Sequence, residues 1–538
     1  MPVVQSALGV ILFCALLVGV TCPSGARAEG RRDGVPNPEC AEDKLAAVRP
    51  LLAGLDAGET VTVIVLFRDP EHASGGVGRA TGEQSRAERL STVVKELQAR
   101  AAASQRSAQR LLRARGLRQG TQEIVTLWMI NGLGVTAPAE VIYKLAELPE
   151  VVQVLPNREI VGRWEKGRLS EDARAPEREG NAPTWNLAHV GAPALWQRGL
   201  LGEGIVVASL DTGVDVDHPD LVEGWRGGGN SWFDPYGEFP SWPVDVDGHG
   251  TAVMGVMVGR ARGCLSQSKA SEGARAPEEG GIGVAPGAQW IAARIFRGDN
   301  KATALAIHQA FQWLLDPDGN PDTPDAPHVV NGSWSLAGAG CALEFQRDVR
   351  ALREAGILPV FAAGNAGPGP ATSTSPANYP EAFAVGATDE RERLYEGSSR
   401  GPAACGGEEK IFPDLVAPGV LVRTTGLQGG YTYETGTSMA APHVAGGLAL
   451  LLSAFPDLDA DEQAELLRRT AADLGPPGAD NESGYGRLDL LAAYRRLSSE
   501  VVVSLFLPQV GNEAPLIRPY SSYLPLIWSA QEAIERRD

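Results

Sequence analysis

Short, continuous apolar runs alternate with amphipathic stretches along the second half of the chain, from about residue 185 to residue 496. Runs of this kind are typical of strands that are buried on both faces of a sheet. The stretches between them, such as ALAIHQAFQWLL and FQRDVRALREAG, show the apolar spacing of helices. The alternation predicts an α/β domain over residues 185–496, built on a mainly parallel sheet, with strands in GIVVASLD, AQWIAARIF, HVVNGSW and LPVFAAGN.

A different order of patterns precedes this domain. ETVTVIVLFRD has the pattern of a strand, and residues 84–115 consist mostly of good helix formers. EIVTLWMINGLGVTAP indicates two strands around an Asn131-Gly132 turn, after which PAEVIYKLAELP predicts a short helix and VVQVLPN a last strand. The order βαββαβ predicts a ferredoxin-like α+β unit over residues 58–160.

Three further segments flank these two units. Residues 1–28 contain a short apolar run that ends in Ala26-Arg27-Ala28, the pattern of a cleaved export signal, so we expect a secreted protein. Residues 161–184 are charged and rich in Pro and Gly, which predicts a linker that contains a processing site. Residues 497–538 form a tail with two apolar pieces, LFLPQV and YLPLIW, which are either strands or an element that attaches the protein to the cell surface.

Composition and charge narrow the function classes. The chain has 538 residues and a net charge of −18, which argues against binding to the phosphate backbone of nucleic acids. No segment after the signal reaches transmembrane length without a polar residue or proline, and the apolar helix candidate over residues 440–454 is predicted to be buried. The six cysteines are widely spaced without a CxxC pair, which excludes a zinc-ribbon spacing and leaves the disulfide pairing open.

Three short motifs carry the candidate chemistry. Asp211 ends an apolar strand in VVASLDTGVD, His249 lies between glycines in DGHGTAVMG, and Ser438 opens a long apolar helix in GTSMAAPHVAG. A serine hydroxyl is a weak nucleophile, so it needs a base to accept its proton and a carboxylate to orient that base. At a helix N-terminus, unpaired N–H groups and the helix dipole also favour a developing oxyanion. The three residues therefore predict nucleophilic catalysis at the loop ends of a parallel sheet.

The three motifs, in the order Asp, His, Ser, resemble the subtilisin-like serine proteases (subtilases), above all the bacillopeptidase F-like members. The resemblance covers most of residues 185–496. It implies a three-layer subtilisin-like fold, and it implies that residues 58–160 are an inhibitory propeptide. It also implies further site residues, namely Asn365 as the oxyanion donor, and Ser333, Trp334, Ser335, Ala362, Ala363 and Gly364 for binding the substrate backbone and lining the S1 pocket.

The small residues of that pocket wall predict tolerance for apolar or aromatic P1 side chains. The resemblance further implies a calcium ligand at Asp220, but the loop that completes this site in relatives is replaced here by PEEGGIGVAPG. The chemistry itself needs no cofactor, and structural calcium is the one metal that the family suggests.

The sequence thus predicts a secreted, monomeric serine endopeptidase made as a zymogen, acting on protein or peptide substrates and inhibited by its own propeptide. Two alternatives remain open at this point. A subtilase-shaped binding protein without activity would be expected to lack a triad residue, and none is missing. An aspartic protease built on Asp211 needs a second catalytic carboxylate, and the chain has no second Asp-Thr-Gly or Asp-Ser-Gly.

Overall fold

A computed structural model describes residues 44–69, 84–118, 123–162, 184–260, 281–407 and 410–506. The predicted signal peptide, nearly all of the predicted linker and the end of the predicted tail lie outside the described residues.

The described residues of the first unit form four helices and a four-stranded sheet. In chain order, these elements are α1 Arg49–Ala53, β1 Thr60–Phe67, α2 Arg86–Ser104, α3 Arg106–Ala114, β2 Ile124–Leu127, β3 Gly132–Pro138, α4 Ala139–Ala146 and β4 Val151–Pro156. The sheet has the order β2-β3-β1-β4, and its neighbouring strands are antiparallel. This is the strand order of the predicted ferredoxin-like arrangement.

The helix predicted over residues 84–115 is in fact two helices that meet at Gln105. The Gln105 side chain is fully buried, and its Nε2 donates to the Gly132 carbonyl at 3.0 Å and to Asn131 Oδ1 at 3.5 Å. Asn131 has a positive φ of 53°, in the turn that the sequence predicted. The glutamine thus turns into the unit to bind the β2–β3 connection, and the helix breaks where it does so.

The second unit is an α/β domain. A short strand, β5 Glu159–Val161, ends the first unit and pairs with the domain. The strands of the domain are β6 Val206–Asp211, β7 Trp232–Phe233, β8 Gln289–Arg294, β9 Lys301–Thr303, β10 Val329–Gly332, β11 Leu358–Ala362, β12 Phe383–Thr388, β13 Leu415–Pro418, β14 Val422–Thr425 and β15 Tyr431–Glu434. Its α-helices are α5 Trp185–His189, α6 Ala192–Trp196, α7 His249–Val258, α8 Ala304–Leu315, α9 Gln346–Glu354, α10 Thr437–Ala454, α11 Ala460–Thr470 and α12 Leu490–Phe506.

Seven strands form the central sheet in the order β13-β12-β11-β10-β6-β8-β7, and every neighbouring pair is parallel. Alternate residues of these strands belong to two apolar clusters. One cluster joins the sheet to α7 and α10, and the other joins its opposite face to α8 and α9. The domain is therefore the three-layer α/β arrangement that was predicted, and its strands read as continuous apolar runs because both faces are covered.

Helix α10 runs through the middle of the first cluster. It is long and apolar enough to cross a membrane by length and composition, but 94% of it is buried inside the protein. This confirms the prediction of a buried helix. At the other end of the domain, α12 continues to Phe506, past the predicted domain boundary at residue 496, so the predicted tail begins inside a helix.

Candidate active site

Asp211 is the last residue of β6, a strand in which every residue is buried. The Thr212 N–H donates to Asp211 Oδ1 at 2.8 Å and holds the carboxylate at the carboxyl end of the sheet. The chain then turns sharply at Gly213, which has a φ of +112°. A Cβ atom there would lie 1.9 Å from the Val244 carbonyl oxygen, so only glycine fits this turn.

His249 is the first residue of α7, and the two preceding residues are positioned by Asp245. Asp245 Oδ1 accepts from the N–H groups of Asp247 and Gly248 at 3.0 and 2.9 Å, and its Oδ2 accepts from the Thr251 N–H at 2.9 Å. Asp245 therefore satisfies N–H groups that a helix start leaves without partners. The first turn of α7 is fixed as a result, and with it the backbone that carries His249.

The start of α7 packs directly against the end of β6. The Gly250 N–H donates to Thr212 Oγ1 at 2.8 Å, and a Cβ atom on Gly250 would lie 2.1 Å from the Gly213 carbonyl oxygen. This close approach brings His249 Nδ1 to 2.8 Å from Asp211 Oδ1. The Asp211 side chain is 2% exposed and that of His249 9%, so the pair is shielded from water.

Burial and mutual attraction act in opposite directions on this pair. Burial alone would lower the pKa of His249, but the Asp211 carboxylate, the hydrogen bond to it and the charges of Asp247 and Asp245 raise that pKa above its usual value. Burial raises the pKa of Asp211, and the His249 ring opposes that rise. A carboxylate that accepts from the Nδ1–H group leaves Nε2 as the basic nitrogen of the neutral ring.

Ser438 is the second residue of α10 and is 6% exposed. Its Oγ donates to the Ser333 carbonyl oxygen at 3.3 Å, and Ser333 Oγ donates to the Ser438 carbonyl oxygen at 2.8 Å. The helix that carries the candidate nucleophile is thus tied to the segment that follows β10.

A cavity of about 280 Å³ is lined by both His249 and Ser438. Leu427 and Met439 also line it, as do the acidic residues Asp247 and Glu434, and no Lys or Arg is among the residues that form its wall. The cavity therefore joins the candidate base to the candidate nucleophile and carries a negative charge.

Asn365 lies just after β11 and next to the start of α10. Its Oδ1 accepts from both the Thr437 N–H and the Thr437 hydroxyl at 3.0 Å. Because the amide oxygen is occupied by two donors, the amide nitrogen is the end that remains to donate to an oxyanion near Ser438. The structure thus brings two pairs of predicted site residues together. Asp211 contacts His249, and Asn365 contacts the start of the helix that carries Ser438.

The six residues predicted to bind substrate lie at or directly after the carboxyl ends of two central strands, β10 and β11, and all are buried: Ser333, Trp334, Ser335, Ala362, Ala363 and Gly364. The Trp334 ring is 1% exposed among aromatic rings, so this residue offers a substrate only its backbone. Gly364 has a φ of +104°, and a Cβ there would lie 2.9 Å from two hydroxyl oxygens, which accounts for the glycine.

Asp220 lies away from this cluster of residues. The Tyr431 hydroxyl donates to Asp220 Oδ2 at 2.8 Å. Among the described residues, Asp220 belongs to no group of three acidic, histidine or cysteine side chains whose donor atoms come together. The segment that replaces the loop of the family's calcium site, PEEGGIGVAPG, spans residues 277–287, of which residues 277–280 lie outside the described residues. Asp220 is 1% exposed, and its Oδ1 is buried without a hydrogen-bond partner among the described residues, so a calcium ligand at Asp220 stays a prediction.

Sequence reasoning missed several residues that shape the site. Asp245 carries a local signal, since an Asp shortly before a helix start is a common cap. Thr437 carries none that stands out, because its partner Asn365 is 72 residues away in the sequence. Glu434 carries none either, because only the fold brings it to the wall of the cavity. The disulfide between Cys341 and Cys405, which are 64 positions apart in the sequence, also emerges only from the fold.

Comparison with known proteins identifies relatives of the part of the chain that contains the site. A sequence model described as "Subtilase family" matches residues 202–486. The chain is 36% identical to Bacillopeptidase F of Bacillus subtilis (strain 168) over 472 residues, which cover 81% of this chain and 31% of that protein. It is 35% identical to Alkaline protease of Alkalihalobacillus alcalophilus over 327 residues, which cover 61% of this chain and 73% of that protein.

A third relative, Subtilisin BL of Lederbergia lenta, is 36% identical over 312 residues, which cover 58% of this chain and 98% of that protein. The chain therefore spans nearly the full length of one relative and about a third of the length of Bacillopeptidase F.

Proposed function

We propose that this chain, which belongs to the subtilase family, is a secreted serine endopeptidase made as a zymogen. The single observation that carries the proposal is the 2.8 Å contact between Asp211 and His249, in a site where His249 shares one cavity with Ser438. The same contact speaks against the aspartic protease alternative, because Asp211 pairs with a base rather than with a second carboxylate.

In the proposed reaction, Ser438 Oγ attacks the scissile carbonyl carbon while its proton passes to His249 Nε2. Asp211 holds the ring and stabilises the imidazolium that forms. Asn365 Nδ2 and the Ser438 N–H donate to the oxyanion. His249 then returns the proton to the leaving amine, and water hydrolyses the acyl-enzyme on Ser438 by the same steps in reverse. The chemistry needs no metal or organic cofactor.

The N-terminal unit is proposed to be the inhibitory propeptide, and its packing supports this role. Its strands and helix α2 contribute apolar side chains to the cluster that includes α8 and α9. The Met129 N–H donates to Gln312 Oε1 at 3.2 Å, and Gln312 Nε2 donates to the Thr126 carbonyl at 3.0 Å. Strand β5 also pairs with β9 of the domain, so the chain leaves the unit along the domain surface before the predicted linker.

Protein or peptide substrates are proposed to bind with apolar or aromatic side chains in the S1 pocket, against the wall of Ala362 and Ala363. The two carboxylates of the cavity beside His249, Asp247 and Glu434, attract positive charge. We therefore expect peptides with Lys or Arg close to the scissile bond to be cleaved faster than matched peptides with Asp or Glu.

The decisive test compares the wild-type protein with Ser438→Ala by intact-mass measurement of the exported material. The proposal expects wild-type protein shortened within the linker over residues 161–184, and a variant that loses only the signal. Labelling by a fluorophosphonate probe should occur in the processed wild type and disappear in the variant. If processed wild-type protein takes up no label, the chain is a subtilase-shaped binding protein instead.

A further inference from the structure

The segment between α8 and β10 is rich in side-chain oxygens. Its sequence, DPDGNPDTPD over residues 316–325, places acidic side chains or an amide at nearly every second position. One carboxylate oxygen each from Asp316, Asp318 and Asp325 come within 4.8 Å of one another. None of these residues takes part in the proposed catalysis, so the grouping needs a separate explanation.

Two oxygens of this cluster are buried without a hydrogen-bond partner, although a buried anionic atom is costly unless it is paired. Asp316 is only 8% exposed, and its Oδ1 has no partner, while its Oδ2 accepts from Gln98 Nε2 at 3.3 Å. Asp325 is similar, because its Oδ1 is buried without a partner and its Oδ2 accepts from Asn230 Nδ2 at 2.8 Å. One oxygen of each carboxylate therefore has no hydrogen-bond partner in the described part of the chain and is available to another group.

Charge in the cluster favours a cation as that group. Arg226, the nearby guanidinium, donates to the Asp325 main-chain carbonyl rather than to its carboxylate. Three carboxylates thus face one another without a basic side chain hydrogen-bonded to any of them among the described residues.

We propose that Asp316, Asp318 and Asp325 hold a calcium ion. Oxygen donors without His or Cys select a hard cation. Two ligands of one calcium ion, each at about 2.4 Å, are at most about 4.8 Å apart, so the three carboxylate oxygens are close enough together to share one ion. Exposed Asp318 places the ion at the surface, where water completes the six to eight oxygens that calcium takes.

The ion would brace the surface on which the N-terminal unit rests. Ser91 and Lys95 of helix α2 donate to Asp322 of the same segment, and Gln98 of that helix donates to Asp316. Calcium is thus expected to order a segment that contacts the proposed propeptide. The metal site itself does not depend on the proposed protease activity.

The test uses the full-length chain with Ser438→Ala, in which processing cannot remove any part. Calcium binding is measured by isothermal titration, and thermal unfolding is followed with calcium and with EDTA. Adding Asp318→Ala should remove about one calcium ion per chain or weaken one site at least about 10-fold, with a smaller calcium-dependent rise in Tm. Since Asp318 is exposed, this variant should fold, and any calcium held at Asp220 contributes equally to both proteins.

Asp322→Asn is the matched control, because it lies in the same segment and removes one carboxylate, but its oxygens bind Ser91 and Lys95 rather than the cluster. It should bind calcium like the parent. The proposal is overturned if Asp318→Ala binds as many calcium ions, with the same affinity and thermal shift, as the parent, or if the parent binds none. Asp325→Asn provides an independent second variant and should reproduce the loss.

Discussion

Single charges near His249 set the pH range in which the site can work. Asp247, exposed at the start of α7, is one of the carboxylates that raise the pKa of His249. Only the neutral ring accepts a proton, so activity should be present above this raised pKa and lost as pH falls through it. Asp247→Asn removes a charge that favours the imidazolium, while the amide oxygen can still accept from the His249 N–H.

We therefore expect Asp247→Asn to move the acidic limb of the kcat/KM profile to lower pH. Asp299→Asn removes another exposed carboxylate, which is not among the main charges that raise the pKa of His249, and it should leave the limb in place. A limb that stays or moves to higher pH in Asp247→Asn would contradict this electrostatic account.

Asn365 is the second residue whose role can be isolated. Asn365→Ala removes the proposed oxyanion donor, and it also removes the oxygen that accepts from the Thr437 N–H and hydroxyl beside Ser438. We expect kcat to fall about 100- to 1,000-fold with little change in KM, because the lost contact forms only in the transition state. Steady-state kinetics on a peptide substrate measures both values, and an unchanged Tm shows that the fold is intact. A rise in KM alone would assign Asn365 to substrate binding.

For single residues, the sequence could predict a role in the site where the neighbouring residues in the chain already indicate the local environment. Asp211, His249 and Ser438 stand beside small residues that close packing demands, and the structure pairs Asp211 with His249. The same logic could not find Glu434 or Asp316, because the partners that give these side chains their surroundings come from other elements. Gln98, for example, reaches Asp316 from 218 residues away in the sequence.

At the scale of elements, the crossing of α7 and β6 controls the geometry of the site. A side chain at Gly250 would meet the Gly213 carbonyl oxygen at 2.1 Å, and backbone cannot give way there as a flexible side chain could. We expect Gly250→Ala to destabilise the protein by about 3 kcal/mol and to reduce activity by displacing His249. Thermal unfolding in the Ser438→Ala background avoids self-digestion.

Gly229→Ala is the control for this substitution. Gly229 is exposed, and a Cβ there meets no atom within 4 Å, so its effect should stay below about 1 kcal/mol. Equal destabilisation by the two alanines would show that the close approach at Gly250 does not control stability.

The sequence was enough to predict whether a segment is a helix or a strand. Where each element ends depends on tertiary contacts, which the sequence pattern does not reveal. The apolar run ALAIHQAFQWLL forms helix α8 from end to end, because its apolar side chains recur at helical spacing and pack into one core. The single helix predicted over residues 84–115 fails at Gln105, where a buried side-chain amide binds the β2–β3 connection. That partner lies 27 residues away, and helix propensity contains no information about it.

At the scale of the whole molecule, the contact between the N-terminal unit and helix α8 would link folding to control of activity if the unit is the proposed inhibitor. Gln312 is the residue to test, because its side chain makes hydrogen bonds to the backbone at both Met129 and Thr126. Two net hydrogen bonds amount to about 2 kcal/mol, or roughly 30-fold in the dissociation constant of a released unit. If the unit is the inhibitor, Gln312→Ala should weaken its hold after processing.

The expected result is a shorter delay between processing, followed on gels, and the appearance of peptidase activity. Gln309→Ala, three residues earlier on the same helix and without a hydrogen bond to the unit in the structure, should keep the wild-type delay. Folding must be separated from inhibition, since a propeptide that guides folding could lower the yield of Gln312→Ala. Activity is therefore divided by the amount of fluorophosphonate-labelled enzyme at the end of the reaction. A delay equal to that of the wild type would mean that this surface does not carry the inhibition, even if the triad is active.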